Sequence, residues 1–378
     1  MLRPLSVSLL ALSCVLSPLL TSAQAHPLVN EKAEVTRTVK AEQFFQPVKQ
    51  LVTQKVASDP QLLRQVAYNS LKYLEQHPDD PAVTAGLFSE LGYDLTRAKS
   101  TLLKIVETID TDTRLGRAQR ILDPRWIEEN FTLLRWSADT AGARKHNVQM
   151  VDQRLRITKY VVFSSPGSPV KTSQFNTALY GLPDDEAQLT SSEAEAKKDQ
   201  LIRYRYTKQD AVNGKLDALG VKPLVWLPRQ GLEDALMQGS LMVTMPDGQQ
   251  RMFNVHRNNG IGYDRNQKNP WLQRRYWYFK EVAGILGYGN DDKVVVEPTV
   301  TFAGDVFNLG LGKVVAMRYL QQGKPVVRLG VLADTGGAFL PNLYQLDYLA
   351  GLFPSRAAYK KGVAHLPTYA DTYILMAR

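Results

Sequence analysis

The sequence predicts an α+β protein, mainly β, with its helices towards the N-terminus. Two periodicities carry that reading. Between residues 60 and 110 apolar side chains recur every three or four positions, the spacing of one helix face. From about residue 156 the apolar period falls towards two, the mark of strands with one buried face. The length adds a third observation: 378 residues suffice for two domains at about 150 residues each.

In chain order, the first segment reads as an export signal over residues 1–25. Arg3 precedes an apolar stretch from Val7 to Leu20, and Ala23-Gln24-Ala25 forms a small-residue cleavage site before His26. The stretch is shorter than the roughly 20 residues a membrane span needs, and Pro18 interrupts it. Ala11-Leu12-Ser13 makes a poor lipid-attachment box for Cys14. The expected product is exported, periplasmic or cell-envelope, soluble and free of thiols. With one cysteine and five scattered histidines, neither disulfides nor a zinc site can staple the fold, so a hydrophobic core must hold it.

Residues 30–135 read as helical. Leu63, Val66, Ala67, Leu71 and Leu74 form one stripe behind an Asp59-Pro60 start, and Leu95, Ala98, Leu102, Val106 and Ile109 form a second. Asp123-Pro124 marks the next boundary. Such stripes face a core rather than a cofactor. Strands are expected at 156–163, 224–227, 241–245, 294–302, 313–320 and 326–333. Pro246-Asp247-Gly248 between apolar runs is a turn. Residues 190–200 read as a charged, solvated helix or loop.

A composition of 44% hydrophobic and 22% charged residues excludes collagen-like, low-complexity and disordered classes. The net charge of +9 favours anionic partners. No Lys/Arg run exceeds two residues and no nucleic-acid motif is present, so nucleic acid is not expected. For an exported chain an extracytoplasmic polyanion fits better.

Several chemical templates fail. Gly310-Leu311-Gly312-Lys313 resembles the end of a phosphate loop, but Phe307 holds the first glycine's place and no Ser or Thr follows Lys313. There is no Gly-x-Ser-x-Gly elbow and no histidine pair at metal-binding spacing. Chemistry therefore falls to carboxylates. An apolar strand ends in Asp334-Thr335-Gly336-Gly337, which puts a carboxylate where the chain turns; it either acts there or merely caps the turn. Asp347, between Leu346 and Tyr348, sits where desolvation would raise its pKa. Asp-Thr-Gly also resembles aspartic peptidases, but those need two facing copies and this chain has one. Tyr276-Trp277-Tyr278-Phe279 could form a saccharide platform, or pack into a core as strand alternation would require for half of it.

Taken in order, a set of segments resembles the membrane-bound lytic murein transglycosylase A (MltA) family with its C-terminal three-aspartate domain. They are Ser70-Leu71-Lys72-Tyr73-Leu74, Ile157-Thr158-Lys159-Tyr160, residues 207–216, Leu224-Val225-Trp226, Gln238-Gly239-Ser240, Asp247-Gly248, Asn259-Gly260-Ile261-Gly262-Tyr263, and the aspartates Asp305, Asp334 and Asp347. The likeness runs over about residues 60–378. Lys159 departs from the family's usual glycine, Phe339-Leu340-Pro341 from its Ile-Lys-Gly, and the 13 positions from Asp334 to Asp347 are a slightly long gap.

The resemblance implies a double-psi β-barrel with N-terminal helices, built from 26–160 and 285–378. A smaller β-barrel domain at 161–284 would be inserted, with a groove between the two. It also implies an exo-acting lytic transglycosylase that cuts the β-1,4 bond between N-acetylmuramic acid and N-acetylglucosamine and leaves 1,6-anhydromuramic acid ends. Ordinary glycosidases need two carboxylates. Here the sugar's C6 hydroxyl is the nucleophile, so one carboxyl can act as acid and then as base. The resemblance gives that role to Asp347, with Asp334 holding it or stabilising the oxocarbenium ion and Asp305 structural nearby. Gln238, Gly239, Ser240, Asn258, Asn259, Gly260 and Tyr263 would contact the glycan. No cofactor or metal is implied, and the expected partner of a monomeric protein is the peptidoglycan glycan strand. Two other classes fit the same sequence: a non-catalytic, expansin-like wall-binding module and a plain exported scaffold.

Overall fold

The computed structural model describes residues 25–30, 32–264, 266–336 and 341–378. Apart from Ala25, the expected signal peptide with Cys14 lies outside the described residues, as do Phe339 and Leu340.

The N-terminal part corrects the helical expectation for residues 30–135. Strands β1 (His26–Val29), β2 (Val35–Val39), β3 (Phe45–Val48) and β4 (Lys55–Val56) precede the first α-helix. The β-branched run Val35-Thr36-Arg37-Thr38-Val39 favours extended backbone. Helix α1 (Pro60–Gln76) begins where Asp59-Pro60 signals it: the Asp59 carboxylate accepts from the backbone N–H groups of Gln61 and Leu62. Such a cap stabilises a helix by about 1 kcal/mol. Asp94 caps α2 (Leu95–Arg114) and Asp123 caps α3 (Pro124–Asn130) in the same way. Both stripes face the core; Leu71 and Leu95 sit at their half-buried edges. Strand β5 (Phe131–Trp136) and helix α4 (Thr140–Lys145) follow.

Strand β6 (Leu155–Pro166) belongs to two units at once. Residues 156–163 pair in parallel with β17 (Gln345–Phe353), and Phe163–Pro166 pair in parallel with β9 (Ser240–Thr244). The inserted unit hangs on this second half. It comprises β7 (Thr177–Tyr180), four short helices, β8 (Pro223–Leu227), α9 (Arg229–Gln238), β9, β10 (Gln250–Asn258) and β11 (Trp277–Val282). The short helices are α5 (Ser191–Ala196), α6 (Ile202–Arg205), α7 (Lys208–Val212) and α8 (Lys215–Ala218). Strands β9, β10 and β11 form one sheet piece, and β7 and β8 a separate two-stranded antiparallel sheet. Between them lies a second core that includes Phe163, Leu179, Leu227, Leu241 and Phe253. Tyr276, Tyr278 and Phe279 are buried in it, so the aromatic run packs as core.

The chain then returns to the first core through β12 (Ile285–Gly289), β13 (Lys293–Val296), β14 (Thr301–Ala303), α10 (Val306–Leu309), β15 (Val314–Gln321) and β16 (Lys324–Asp334). Strand β17, helix α11 (Arg356–Val363) and β18 (Tyr369–Ala377) complete it. Neighbour by neighbour, β6, β17, β14, β16, β15 and β18 pair in a ring that closes through β18–β6. This closed six-stranded ring agrees with the barrel that the family resemblance implies, and closure removes the exposed sheet edges an open sheet would carry.

The single strand expected over 294–302 is a second correction: it splits into β13 and β14. Between them Thr299 takes a left-handed conformation with φ 68°. A β-branched residue holds that conformation only at a cost of about 1–2 kcal/mol. Two bonds to β17 offset it: Thr299 N–H donates to the Leu349 carbonyl at 2.7 Å, and the Thr299 carbonyl accepts from the Tyr348 hydroxyl at 2.7 Å. Among the described residues no helix is long and apolar enough to cross a membrane.

Candidate active site

Strand β14 is only three residues long, and both its neighbours carry an aspartate. Ala303 is in register with Asp334 on β16 and with Asp347 on β17. Residues in register on adjacent strands project to one face, and adjacent strands lie about 4.8 Å apart. A bulge in the β14–β16 ladder sets Asp334 rather than Ala333 opposite Ala303. The Tyr160 hydroxyl, on the same side of β6 as the Asp347 partner Thr158, bonds Asp334, so the two carboxyls share a face.

Asp334 ends β16, and its carboxylate has two partners. Oδ2 accepts from the Tyr160 hydroxyl at 2.9 Å, and Oδ1 accepts from the Thr335 backbone N–H at 2.7 Å. The turn-cap reading and the functional one thus meet in a single side chain. Burial pushes its pKa up to about 6, against the opposing pull of those two donors and of the Lys293 charge. Lys293 is itself pushed down to about 8 by burial, and its Nζ donates to the Val255 carbonyl at 2.8 Å.

Asp347 lies opposite Thr158 of β6. Gln345 Nε2 donates both to Asp347 Oδ1, at 3.2 Å, and to Thr158 Oγ1, at 3.0 Å. Among the described residues Oδ2 accepts nothing. Burial is the first cause that raises this carboxyl to about 6; Gln345 opposes it, the negative charge of Asp334 adds to it, and the Arg156 charge opposes it.

Asp305 is different. It is fully buried and caps α10, accepting from Asn308 N–H at 3.2 Å, Asn308 Nδ2 at 2.7 Å and the Asn342 N–H at 2.8 Å. Burial pushes it up to about 7. Its atoms are spent on holding backbone.

The segments from the inserted unit divide. Gln238, the last residue of α9, reaches the site: its Oε1 accepts from the Val161 N–H at 3.1 Å, one residue beyond Tyr160. Gly239 closes α9 at φ 80°, a left-handed helix end that glycine adopts without strain. Ser240 is buried, and its Oγ accepts from Asn254 Nδ2 at 2.6 Å. Asn259 is also buried and fully engaged. Its Nδ2 donates to the carbonyls of Tyr206 and Arg274, and its Oδ1 accepts from the Tyr276 N–H. Ser240 and Asn259 thus bond inside the protein, Asn259 through both carboxamide atoms. Asn258 Oδ1 accepts from the Gly260 N–H at 2.8 Å, forming a turn that leads to the exposed Tyr263. That loop follows β10 three residues after Val255, the carbonyl partner of Lys293.

Sequence reasoning assigned no role to Tyr160, Thr158, Gln345 or Lys293. Thr158 and Tyr160 were readable, since a period of two on β6 places them on one face. Lys159 between them points the other way, where its Nζ donates to the carbonyls of Ile157 and Pro367, so the departure from glycine leaves that face intact. Nothing local marks Lys293, which reaches Asp334 only through the fold. Among the described residues no group of three or more His, Cys, Asp or Glu stands close enough to hold a metal ion.

No family model and no curated protein matches the sequence. Solved structures do match. A membrane-bound lytic murein transglycosylase from Agrobacterium tumefaciens superposes with a TM-score of 0.58 at 18% identity, over 85% of this chain and 94% of that one. E. coli MltA with bound chitohexaose gives 0.54 at 13% identity, over 92% and 98%. MltA from Neisseria gonorrhoeae gives 0.54 at 14% identity, over 88% and 91%. At these identities the likeness establishes a shared architecture.

Proposed function

We propose that this chain, which has the fold of the MltA lytic murein transglycosylases, cuts the β-1,4 bond between N-acetylmuramic acid and N-acetylglucosamine and closes a 1,6-anhydromuramic acid ring. The observation that carries the reading is the Asp334–Asp347 pair across Ala303, with Tyr160 and Lys293 acting on one member only. Tyr160 and Lys293 favour the charged form of Asp334, and that charge favours the neutral form of Asp347. Burial raises both carboxyls to about 6 and Arg156 favours ionised Asp347, so we assign the carboxylate role to Asp334 and the acid role to Asp347 on their partners, the division of labour that glycosidic cleavage needs.

In the reaction, Asp347 gives its proton to the bridging oxygen as the bond from muramic acid C1 breaks. Asp334 faces the cationic character that develops at C1. The C6 hydroxyl of the same sugar then bonds to C1, and its proton returns to Asp347. No water is consumed. Intramolecular attack has an effective concentration of up to about 10⁵–10⁸ M when the group is well placed, which is why a second activating carboxylate is unnecessary. Gln238, Gly239, Asn258, Gly260 and Tyr263 are assigned to the glycan strand; Ser240 and Asn259 shape the backbone that presents them.

Purified sacculi incubated with the exported protein test this reading. Soluble muropeptides ending in anhydromuramic acid are the expected product, with none from Asp347→Asn. Co-sedimentation with sacculi but no released muropeptide would make the protein a wall-binding module instead.

A further inference from the structure

Strand β1 lies at the far N-terminal end of the described chain, yet it joins the network behind the two aspartates. The carboxamide of Asn308 pairs with the backbone of Val29 as a neighbouring strand would. Val29 N–H donates to Asn308 Oδ1 at 2.8 Å, and Asn308 Nδ2 donates to the Val29 carbonyl at 2.9 Å. The same Nδ2 donates to Asp305 Oδ2 at 2.7 Å, and that oxygen accepts the Asn342 N–H at 2.8 Å. Asn308, Asp305 and Asn342 are all buried. Asn342 Oδ1 in turn accepts from the N–H of Tyr344, which immediately precedes β17. Three residues into that stretch from Asn342, Gln345 holds Asp347.

We propose that Asn308 is a positioning residue and β1 its anchor: together they fix, through Asp305, the backbone at Asn342 from which β17 delivers Asp347. The other ties of this segment hold Leu343, whose carbonyl accepts from Trp136 Nε1 and the Asp139 N–H, and Tyr344, whose carbonyl accepts from the Arg156 N–H at 3.0 Å. Among the described residues Asp305 alone holds the Asn342 N–H. Leu28 is fully buried in the main core, and His26 pairs with Glu90 at 3.3 Å, so β1 is seated firmly enough to serve as an anchor. A backbone displacement of about 1 Å at a catalytic group can lower a rate by about 10²-fold while leaving distant binding contacts untouched.

The kinetic part of this inference rests on the transglycosylase reading; the structural part does not. Two variants test it. Asn308→Ala removes the link, and Val29→Pro removes the backbone N–H that donates to Asn308 Oδ1 rather than to β2. Each is expected to lower kcat on sacculi by about tenfold with KM within about twofold. Each is also expected to speed backbone hydrogen exchange over residues 341–346 by at least about tenfold, while α2 stays protected. Unchanged exchange over 341–346 in both variants would overturn the proposal, as would a change confined to KM. If the wild type releases no anhydro-muropeptide, the transglycosylase reading fails and the exchange measurement still decides the positioning claim.

Discussion

Asp334 and Asp347 are both in register with Ala303, from opposite sides of β14. At about 10 Å and an effective dielectric constant of about 20, two such charges repel by on the order of 1.5 kcal/mol, about one pKa unit. A hydrogen bond to a charged group is worth as much. The neighbours of each carboxyl therefore decide which one keeps the proton. Tyr160 and Lys293 act on Asp334; among the described residues Gln345 alone donates to Asp347, and the Arg156 charge also acts on it.

The first expectation follows for the two carboxyls. Asp347→Asn cannot transfer a proton, so kcat should fall by at least about 10³-fold, within the usual range for general acid–base groups. Co-sedimentation with sacculi should be retained. Asp334→Asn should cost less, about 10²-fold, because it removes charge stabilisation but no proton transfer. Near-normal turnover in Asp347→Asn would move the acid role to Asp334.

The pH dependence has a sign. Activity needs Asp347 protonated and Asp334 ionised, and both titrate at about 6. The kcat profile should be bell-shaped near pH 6, falling on the alkaline side as Asp347 ionises and on the acid side as Asp334 takes a proton. Tyr160→Phe deletes a hydrogen bond that favours the Asp334 carboxylate, so the acid limb should move up by about one pH unit. Movement of that limb to lower pH would contradict the assignment.

Lys313 supplies an expectation about stability. It is 2% exposed, and its Nζ has one acceptor, the Thr84 carbonyl at 3.2 Å, with no carboxylate beside it among the described residues. Burial pushes its pKa down to about 7 from the ordinary 10.5. The unfolded chain thus binds the proton more tightly, and the folding cost is full below pH 7 and shrinks as pH rises towards 10. Lys313→Met should stabilise the protein by about 2 kcal/mol at pH 6 and by less at pH 9. Thermal unfolding at the two pH values reads this directly; an equal gain at both would rule out a buried charge as the cause.

Much of this was legible in the residues, and the rest was not for identifiable reasons. Asp59-Pro60 and Asp123-Pro124 mark helix starts because capping is local chemistry. The strands at 313–320 and 326–333 were readable because strands buried on both faces show as near-continuous apolar, β-branched runs. The break at Thr299 was not, since the left-handed turn is held by bonds to Leu349 and Tyr348, about fifty residues away. The strands of residues 26–56 were read as helix because they are short and their burial is irregular. Asp305, Asp334 and Asp347 stood out as residue types in a pattern. That Asp305 is a buried cap while the other two face one another is a matter of strand register, which sequence spacing does not contain.

The central claim is that the sugar's own C6 hydroxyl, rather than water, displaces the leaving group. Mass spectrometry of muropeptides released from sacculi in water enriched in heavy oxygen tests it most directly. Products lighter by one water than hydrolytic ones, with no heavy oxygen at muramic acid C1, are expected. Reducing ends carrying the label at C1 would contradict it: water would be the nucleophile, and a carboxylate other than Asp347 would have to activate it.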